Sequence, residues 1–174
     1  MQDNIQLKHS DYQQSEEKFP LSLIANDISS PLNVGSLFRL SDALGISKLY
    51  LCGQSAVPPN LKINKTSRST EKYVPYEYHE DANILVASLK SANTLIVSLE
   101  ITSASLTLDS SELLTALGTR KKVGLILGAE NTGVNESLLA LSELTVHIPM
   151  HGANSSMNVV SAASIACYEI TKNM

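Results

Sequence analysis

Five short apolar runs recur along the chain: residues 21–25 (LSLIA), 47–52 (SKLYLC), 94–99 (TLIVSL), 122–127 (KVGLIL) and 144–148 (LTVHI). They are almost continuously aliphatic rather than alternating with polar residues, the pattern of strands covered on both faces. Helical segments separate them. One is capped by Asn33 and runs to Gly45, with Pro31 closing the loop before it. Others cover residues 80–91, 136–141 and 156–170, and 109–117, where Asp109 would cap with Glu112 three residues on. Residues 53–79 read as an irregular segment, because Pro58-Pro59 and Pro75 oppose a long element. Strands alternating with helices predict an α/β fold: a mostly parallel sheet with helices on both faces.

The length of 174 residues fits one domain with a sizeable core. Residues 1–19 form a polar lead-in and residues 20–174 the domain. The lead-in has no apolar signal core and no run reaches membrane-spanning length, so the expected location is the cytoplasm. Cys52 and Cys167 lie far apart in apolar stretches, as free buried thiols do, with no C-x-x-C pair to suggest a redox or zinc site. The histidines His9, His79, His147 and His151 have no metal-ligand spacing, and no metal is expected. His147, inside a strand, reads as structural.

Thirteen basic and 17 acidic residues leave a net charge of −4, a poor balance for gripping a long duplex non-specifically. Local patches matter more. Lys62, Lys65, Arg68 and Lys72 fall in one stretch, followed by Tyr73, Tyr76 and Tyr78, which can stack bases or pack beneath the loop. A phosphate-binding rim is the functional reading of those four cations, and a solvated loop the plain one. Arg120-Lys121-Lys122 is a second cluster, read as a solvated turn.

Three strand-to-helix junctions carry unusual glycine and asparagine: residues 31–35 with Arg39, residues 128–133 (GAENTG), and residues 152–158. In open α/β sheets ligands bind beyond the carboxyl ends of strands, where these loops lie. GAENTG is neither a phosphate loop, since no Lys-Ser or Lys-Thr follows, nor a G-x-G-x-x-G fingerprint. Arg39 reads equally as an ion pair with Asp42 or as an anion clamp. Glu130 fits a helix cap or a holder of a ligand donor. Asn158 fits a turn or a positioning amide.

Taken together the three segments resemble the motifs of the SpoU, or TrmH-like, RNA ribose 2'-O-methyltransferases of the SPOUT class. Residues 33–39 (NVGSLFR) are similar to the first motif, 125–133 (LILGAENTG) to the second, and 148–162 (IPMHGANSSMNVVSA) to the third. Order and spacing agree, and the likeness runs from about residue 20 to 168. The resemblance implies a C-terminal deep trefoil knot, a homodimer, and S-adenosylmethionine as cofactor. It would be held largely by backbone groups of Leu127, Gly128, Ile148, Met150, Ser156 and Met157, with Glu130 and Asn158 beside them. It implies methyl transfer to a ribose 2'-hydroxyl of RNA; between transfer and ribosomal RNA the expectation leans to transfer RNA, because a small dimer must use the substrate's compact shape for selectivity. Arg39, Asn33, Glu130 and Asn158 would be the catalytic set, with Asn33 orienting the loop, Glu130 orienting Arg39 or a backbone donor, and Asn158 bracing the third motif. Arg39, Lys62, Lys65, Arg68 and Lys72 would contact RNA.

Guanidinium groups are not deprotonated in proteins. A positive Arg39 is therefore expected to hold a neighbouring phosphate and favour developing alkoxide charge. Two departures from the family pattern stand out. Val160 replaces the usual serine of the third motif, with Ser161 about 100° further round the helix. Ser67-Arg68-Ser69-Thr70 replaces a stretch of smaller alanine and glycine residues. The alternative to an active enzyme is an RNA-binding homologue with weak or no turnover.

Overall fold

A computed structural model describes residues 4–6, 11, 17–119 and 122–174. Most of the polar lead-in, with His9, and Arg120 and Lys121 of the second basic cluster lie outside these residues. The described residues form a seven-stranded sheet of β1 (Phe19–Asn26), β2 (Ile46–Cys52), β3 (Tyr76–His79), β4 (Leu95–Leu99), β5 (Leu106–Thr107), β6 (Val123–Leu127) and β7 (Leu144–His147). The helices are α1 (Pro31–Ala43), α2 (Leu61–Ser67), α3 (Ala82–Ser91), α4 (Ser111–Thr119), α5 (Glu136–Leu141) and α6 (Val159–Lys172). The spatial order is β3-β2-β1-β6-β4-β7-β5, and every neighbouring pair is parallel. The chain fills β2 and β3 on one side of β1 and the other four strands on the other, where the carboxyl ends of β6, β4 and β7 lie side by side and leave a crevice.

Successive strand side chains point to opposite faces, and both faces are buried. On one face Leu21, Leu23, Leu125 and Val97 pack with Leu37 and Phe38 of α1, Ile63 of α2, Leu113 of α4 and Ala163, Ala166 and Ile170 of α6. On the other Ile24, Ile96 and Ile126 pack with Leu85 and Val86 of α3 and Leu138 of α5. Each such fully buried aliphatic side chain contributes roughly 1.5–3 kcal/mol of transfer free energy. The aliphatic runs thus sit where their composition requires. Cys52 and Cys167 are free and buried, and burial pushes each thiol up to about 12. For Cys52 the carboxylates of Asp27 and Asp81 add to the effect.

Three sequence expectations need correcting. Pro31 does not stop a helix but begins one: α1 starts at Pro31, with Ser30 as cap and its side chain accepting from the Asn33 N–H. Proline suits the first helical position, where its missing N–H has no partner to lose. Asn33 is therefore inside the first turn, and its amide is free for other work. Asp109 is not the cap of α4; the Leu113 N–H is directed to Ser110 Oγ at 3.4 Å. The Asp109 carboxyl is instead held low chiefly by a hydrogen bond with Thr107. Finally α6 begins at Val159 rather than residue 156, because Asn158 caps it through bonds from Val160 N and Ser161 N.

The segment 53–79 is also not irregular. It holds α2, a 3-10 turn at Thr70–Lys72, and β3. α2 packs tightly on α1: a Cβ on Gly35 would fall 2.0 Å from Thr66 Oγ1 and 2.6 Å from the Ile63 carbonyl oxygen. Gly35 is thus a helix-contact glycine, not a ligand-contact one. Glu71 joins α2 to the turn by accepting from Ser67 Oγ and from Asn64 Nδ2 at 2.7 Å. Desolvation pushes its carboxyl up, but these bonds outweigh it and hold it below the ordinary 4.5. A depressed carboxylate contributes stability above its unfolded pKa and loses it as pH falls through the folded one. The stability advantage over Glu71→Gln is therefore expected in full at about pH 6 and should shrink below about pH 4.5. Thermal melts of both proteins from pH 6 to 3 check this, and a gap independent of pH would contradict it.

Candidate functional site

The crevice at the carboxyl ends of β4, β6 and β7 is a cavity of about 780 Å3, within the usual range of roughly 300–1,000 Å3 for small-ligand sites. Leu127 and Gly128 enter it from the end of β6, Ile148 and Met150 from beyond β7, and Ser156, Met157 and Asn158 from the approach to α6. Glu130 comes from the glycine loop. All eight residues expected to hold the cofactor line this one cavity.

The loop from Gly128 to Gly133 closes on itself. Ala129 N donates to the Gly133 carbonyl at 3.1 Å and Gly133 N to the Ala129 carbonyl at 2.8 Å. Glycine is required at both ends. A Cβ on Gly128 would lie 2.1 Å from the Gly133 carbonyl carbon, and Gly133 has φ +68° with Glu100 Oε2 in the space a Cβ would take. Glu100, just past β4, clamps the loop by accepting from Val134 N at 2.8 Å with one oxygen and from Ile101 N at 2.9 Å with the other.

One chain of hydrogen bonds joins the three motifs. Asn33 Nδ2 donates to Glu130 Oε1 at 2.9 Å. Asn158 Nδ2 donates to Asn33 Oδ1 at 3.2 Å. Asn158 Oδ1 accepts from Val160 N at 2.9 Å and Ser161 N at 3.3 Å. Glu130 therefore holds Asn33, not Arg39, contrary to one of the roles expected of it. Because the Val160 contribution comes from its backbone N–H, the missing serine hydroxyl leaves this cap intact. The Val160 side chain packs against the core.

Asn158→Ala removes the cap and the link to Asn33 together. Loss of a cap costs about 1 kcal/mol, so a fall of about 2–4 °C in Tm is expected. Asn158→Asp keeps the cap acceptor but not the donor to Asn33; it should hold the melting temperature and still weaken cofactor binding. Calorimetric titration and thermal melts of the pair separate the two roles. Equal melting temperatures for Asn158→Ala and the unaltered protein would show that the cap carries no stability.

Arg39 is not part of the cavity lining. It lies six residues beyond Asn33, about 9 Å further along α1, exposed, and with no ion pair to Asp42 among the described residues. Lys62 and Lys65 on α2, Arg68 at its end and Lys72 in the 3-10 turn are exposed too. Arg68 and Ser69 both adopt the left-handed region, at φ 55° and 71°. Tyr73 is 71% exposed, whereas Tyr76 packs edge-on against Phe38 at 5.3 Å and the Tyr78 hydroxyl donates to the Gly53 carbonyl at 3.0 Å.

Sequence reasoning missed Glu100 and gave His147 a purely structural role. Both line the cavity, and His147 Nδ1 is buried without a hydrogen-bond partner among the described residues. Glu100 had a signal: it is the first polar residue past a strand end, where a ligand site is expected. The lining includes the carboxylates Glu100 and Glu130 and no lysine or arginine. Such a wall disfavours phosphates and suits a ligand that is cationic at its reactive centre and otherwise apolar and hydrogen-bonding.

The pattern of the SpoU rRNA Methylase family matches residues 20–168. Over 149 residues the chain is 27% identical to a tRNA (guanosine(18)-2'-O)-methyltransferase of Thermus thermophilus, covering 86% of this chain and 73% of that enzyme. It is 26% identical over 149 residues to a 23S rRNA (guanosine-2'-O-)-methyltransferase of Nitrosomonas europaea, covering 86% of this chain and 55% of the relative. The structure of the SpoU methyltransferase AviRb from Streptomyces viridochromogenes, in complex with AdoMet, superposes with a TM-score of 0.74 at 25% identity, covering 91% of this chain and 59% of that one. The chain thus spans less than two thirds of the latter two proteins.

Proposed function

The chain belongs to the SpoU rRNA Methylase family, and on that premise we propose that it transfers a methyl group from S-adenosylmethionine to a ribose 2'-hydroxyl of RNA. We take transfer RNA over ribosomal RNA as the substrate, the activity named for the Thermus relative. The observation that carries the reading is the Glu130–Asn33–Asn158 chain, which ties the three motifs together at the rim of a carboxylate-lined cavity.

The residues present fit the cofactor. Glu100 and Glu130 favour a cationic sulfonium, Leu127, Ile148, Met150 and Met157 supply apolar walls, and the Gly128 and Ser156 backbone brings polar groups close. When bound, S-adenosylmethionine supplies an electrophilic methyl group, so this chain's task is alignment and charge management. Asn33 and Glu130 fix the loop and hence the floor of the cavity. Asn158 fixes the start of α6. Arg39, a guanidinium without an internal partner among the described residues, would hold an RNA phosphate and favour negative charge on the 2'-oxygen as its proton leaves to solvent or phosphate.

The reaction centre is completed, in this reading, by a second copy of the chain in the cytoplasm. Exposed Ile165 and Tyr168 on α6 and Leu32 on α1 offer an apolar face for it, and α1 and α6 pack together. The knotted path of the C-terminal segment belongs to the same proposal. No helix among the described residues is long and apolar enough to cross a membrane. Incubation with labelled S-adenosylmethionine and unmodified transfer or ribosomal RNA tests the substrate: label confined to ribosomal RNA would overturn the preference for transfer RNA.

A further inference from the structure

A second cleft, of about 500 Å3, lies beside α2. Pro58, Pro59, Leu61 and Tyr76 form its apolar walls, and Asn64 and Lys72 are among its polar groups. Leu61 is 90% exposed at the first position of α2, where helix formation asks for nothing apolar. Tyr76 is 37% exposed, and its ring is held perpendicular to the Phe38 ring at 5.3 Å. It is a preformed aromatic surface, not a mobile one.

The lining carries one cation, Lys72, and one carboxylate, Glu71, whose oxygens are taken up by Ser67 and Asn64; further cations lie on the neighbouring residues of α2 and its end. Lys62, Lys65, Arg68 and Lys72 are all exposed, and none has an ion pair among the described residues. Four of the chain's 13 basic residues thus gather on one short surface of a protein whose net charge is −4. Arg68 and Ser69 are successive non-glycine residues in the left-handed region. Such backbone persists only where its surroundings over-determine it, and here Glu71 pins both flanks through Ser67 and Asn64. The turn fixes the Arg68 backbone at the end of α2, with its side chain exposed. α1 lies between the two cavities: Asn33 in its first turn reaches the first, and Phe38 backs Tyr76 of the second.

We propose that this cleft is an accessory RNA site, which takes an unpaired base of the substrate against Leu61, Pro59 and Tyr76 and the adjoining phosphates on Lys72 and Arg68. It rests on the RNA methyltransferase reading above. An apolar and aromatic floor within a cationic rim is the chemistry of single-stranded nucleic-acid recognition, where bases stack and lysine or arginine tracks the backbone. An apolar peptide would satisfy the floor and leave four cations unused.

The test uses the whole chain with unmodified transfer RNA and ribosomal RNA as probes, and S-adenosylmethionine titrated separately. Leu61→Ser and Lys72→Gln change exposed side chains and should fold normally. Leu61→Ser is expected to weaken RNA binding by about tenfold without altering its salt dependence. Lys72→Gln is expected to weaken it and to reduce the slope of log affinity against log salt by about 1. Cofactor affinity should be unchanged in both. Unaltered protein that binds RNA, with both variants binding equally well, overturns this inference alone. Unaltered protein that binds S-adenosylmethionine but neither RNA overturns the function on which it rests.

Discussion

Arg39→Ala is expected to lower the rate of methyl transfer by about 10²–10³-fold, the usual cost of removing one donor aimed at developing negative charge. Cofactor affinity and thermal stability should not fall with it. Arg39 does not line the cofactor cavity, makes no ion pair among the described residues, and is exposed on α1. Alanine is at least as good a helix former. The loss therefore falls on the reaction and on RNA positioning. Arg39→Lys keeps the charge but not the planar fork that grips a phosphate with two bonds, so only partial recovery is expected. Single-turnover rates alongside calorimetric titration of the cofactor read the two effects separately. A variant that transfers methyl at the normal rate removes Arg39 from the mechanism. One that loses cofactor binding instead gives it a structural role.

The second large effect is expected at Gly128. An added methyl would meet backbone atoms on the opposite strand of its own loop: the Gly133 carbonyl carbon at 2.1 Å, Val134 N at 2.2 Å and the Gly133 carbonyl oxygen at 2.4 Å. No side chain can swing away to make room, so the paired loop must open. Overpacking of this kind costs about 3 kcal/mol, a fall of about 6–12 °C in melting temperature for a chain of this size. Opening the loop also displaces Glu130 from Asn33, and cofactor affinity should drop at least tenfold. Gly118→Ala is the control: nothing lies within 4 Å of the Cβ it would add, and inside α4 alanine should stabilise by roughly 0.5–1 kcal/mol. If both variants melt alike, the close approach at Gly128 is not a constraint and the account of the loop is wrong.

Five of the seven strands were legible because each is a largely aliphatic run in the interior of the sheet, whereas β3, Tyr76–His79, is neither aliphatic nor buried and was read as part of an irregular segment. α5 was legible because Asn135 caps a short, clearly bounded segment. α2 was hidden. Its seven residues bury only Ile63 and Ser67, too little for a helical period to show, and the neighbouring prolines pointed to a loop. β5 is two residues long and leaves no pattern at all. The start of α1 was misplaced because Pro31 was read as a breaker, when proline at the first helical position is pre-organised for the turn. In the site, the residue types of Asn33, Glu130 and Asn158 stood out, but not their contact. They lie 97 and 125 residues apart along the chain, and only the return of β6 beside β1 and the packing of α6 on α1 bring them together. Glu100 escaped because its work, clamping a loop across the cavity, is defined by where β4 ends and by no local motif.

The measurement that bears most directly on the central claim is the position of the transferred methyl. Labelled S-adenosylmethionine and unmodified RNA would be incubated with the protein, and the product hydrolysed in alkali. Strand cleavage by alkali needs a free 2'-hydroxyl, so a methylated ribose protects the bond that follows it. The account predicts label in alkali-resistant dinucleotides, and its loss with Arg39→Ala. Label released in ordinary mononucleotides would mean methylation of a base, and would contradict the account.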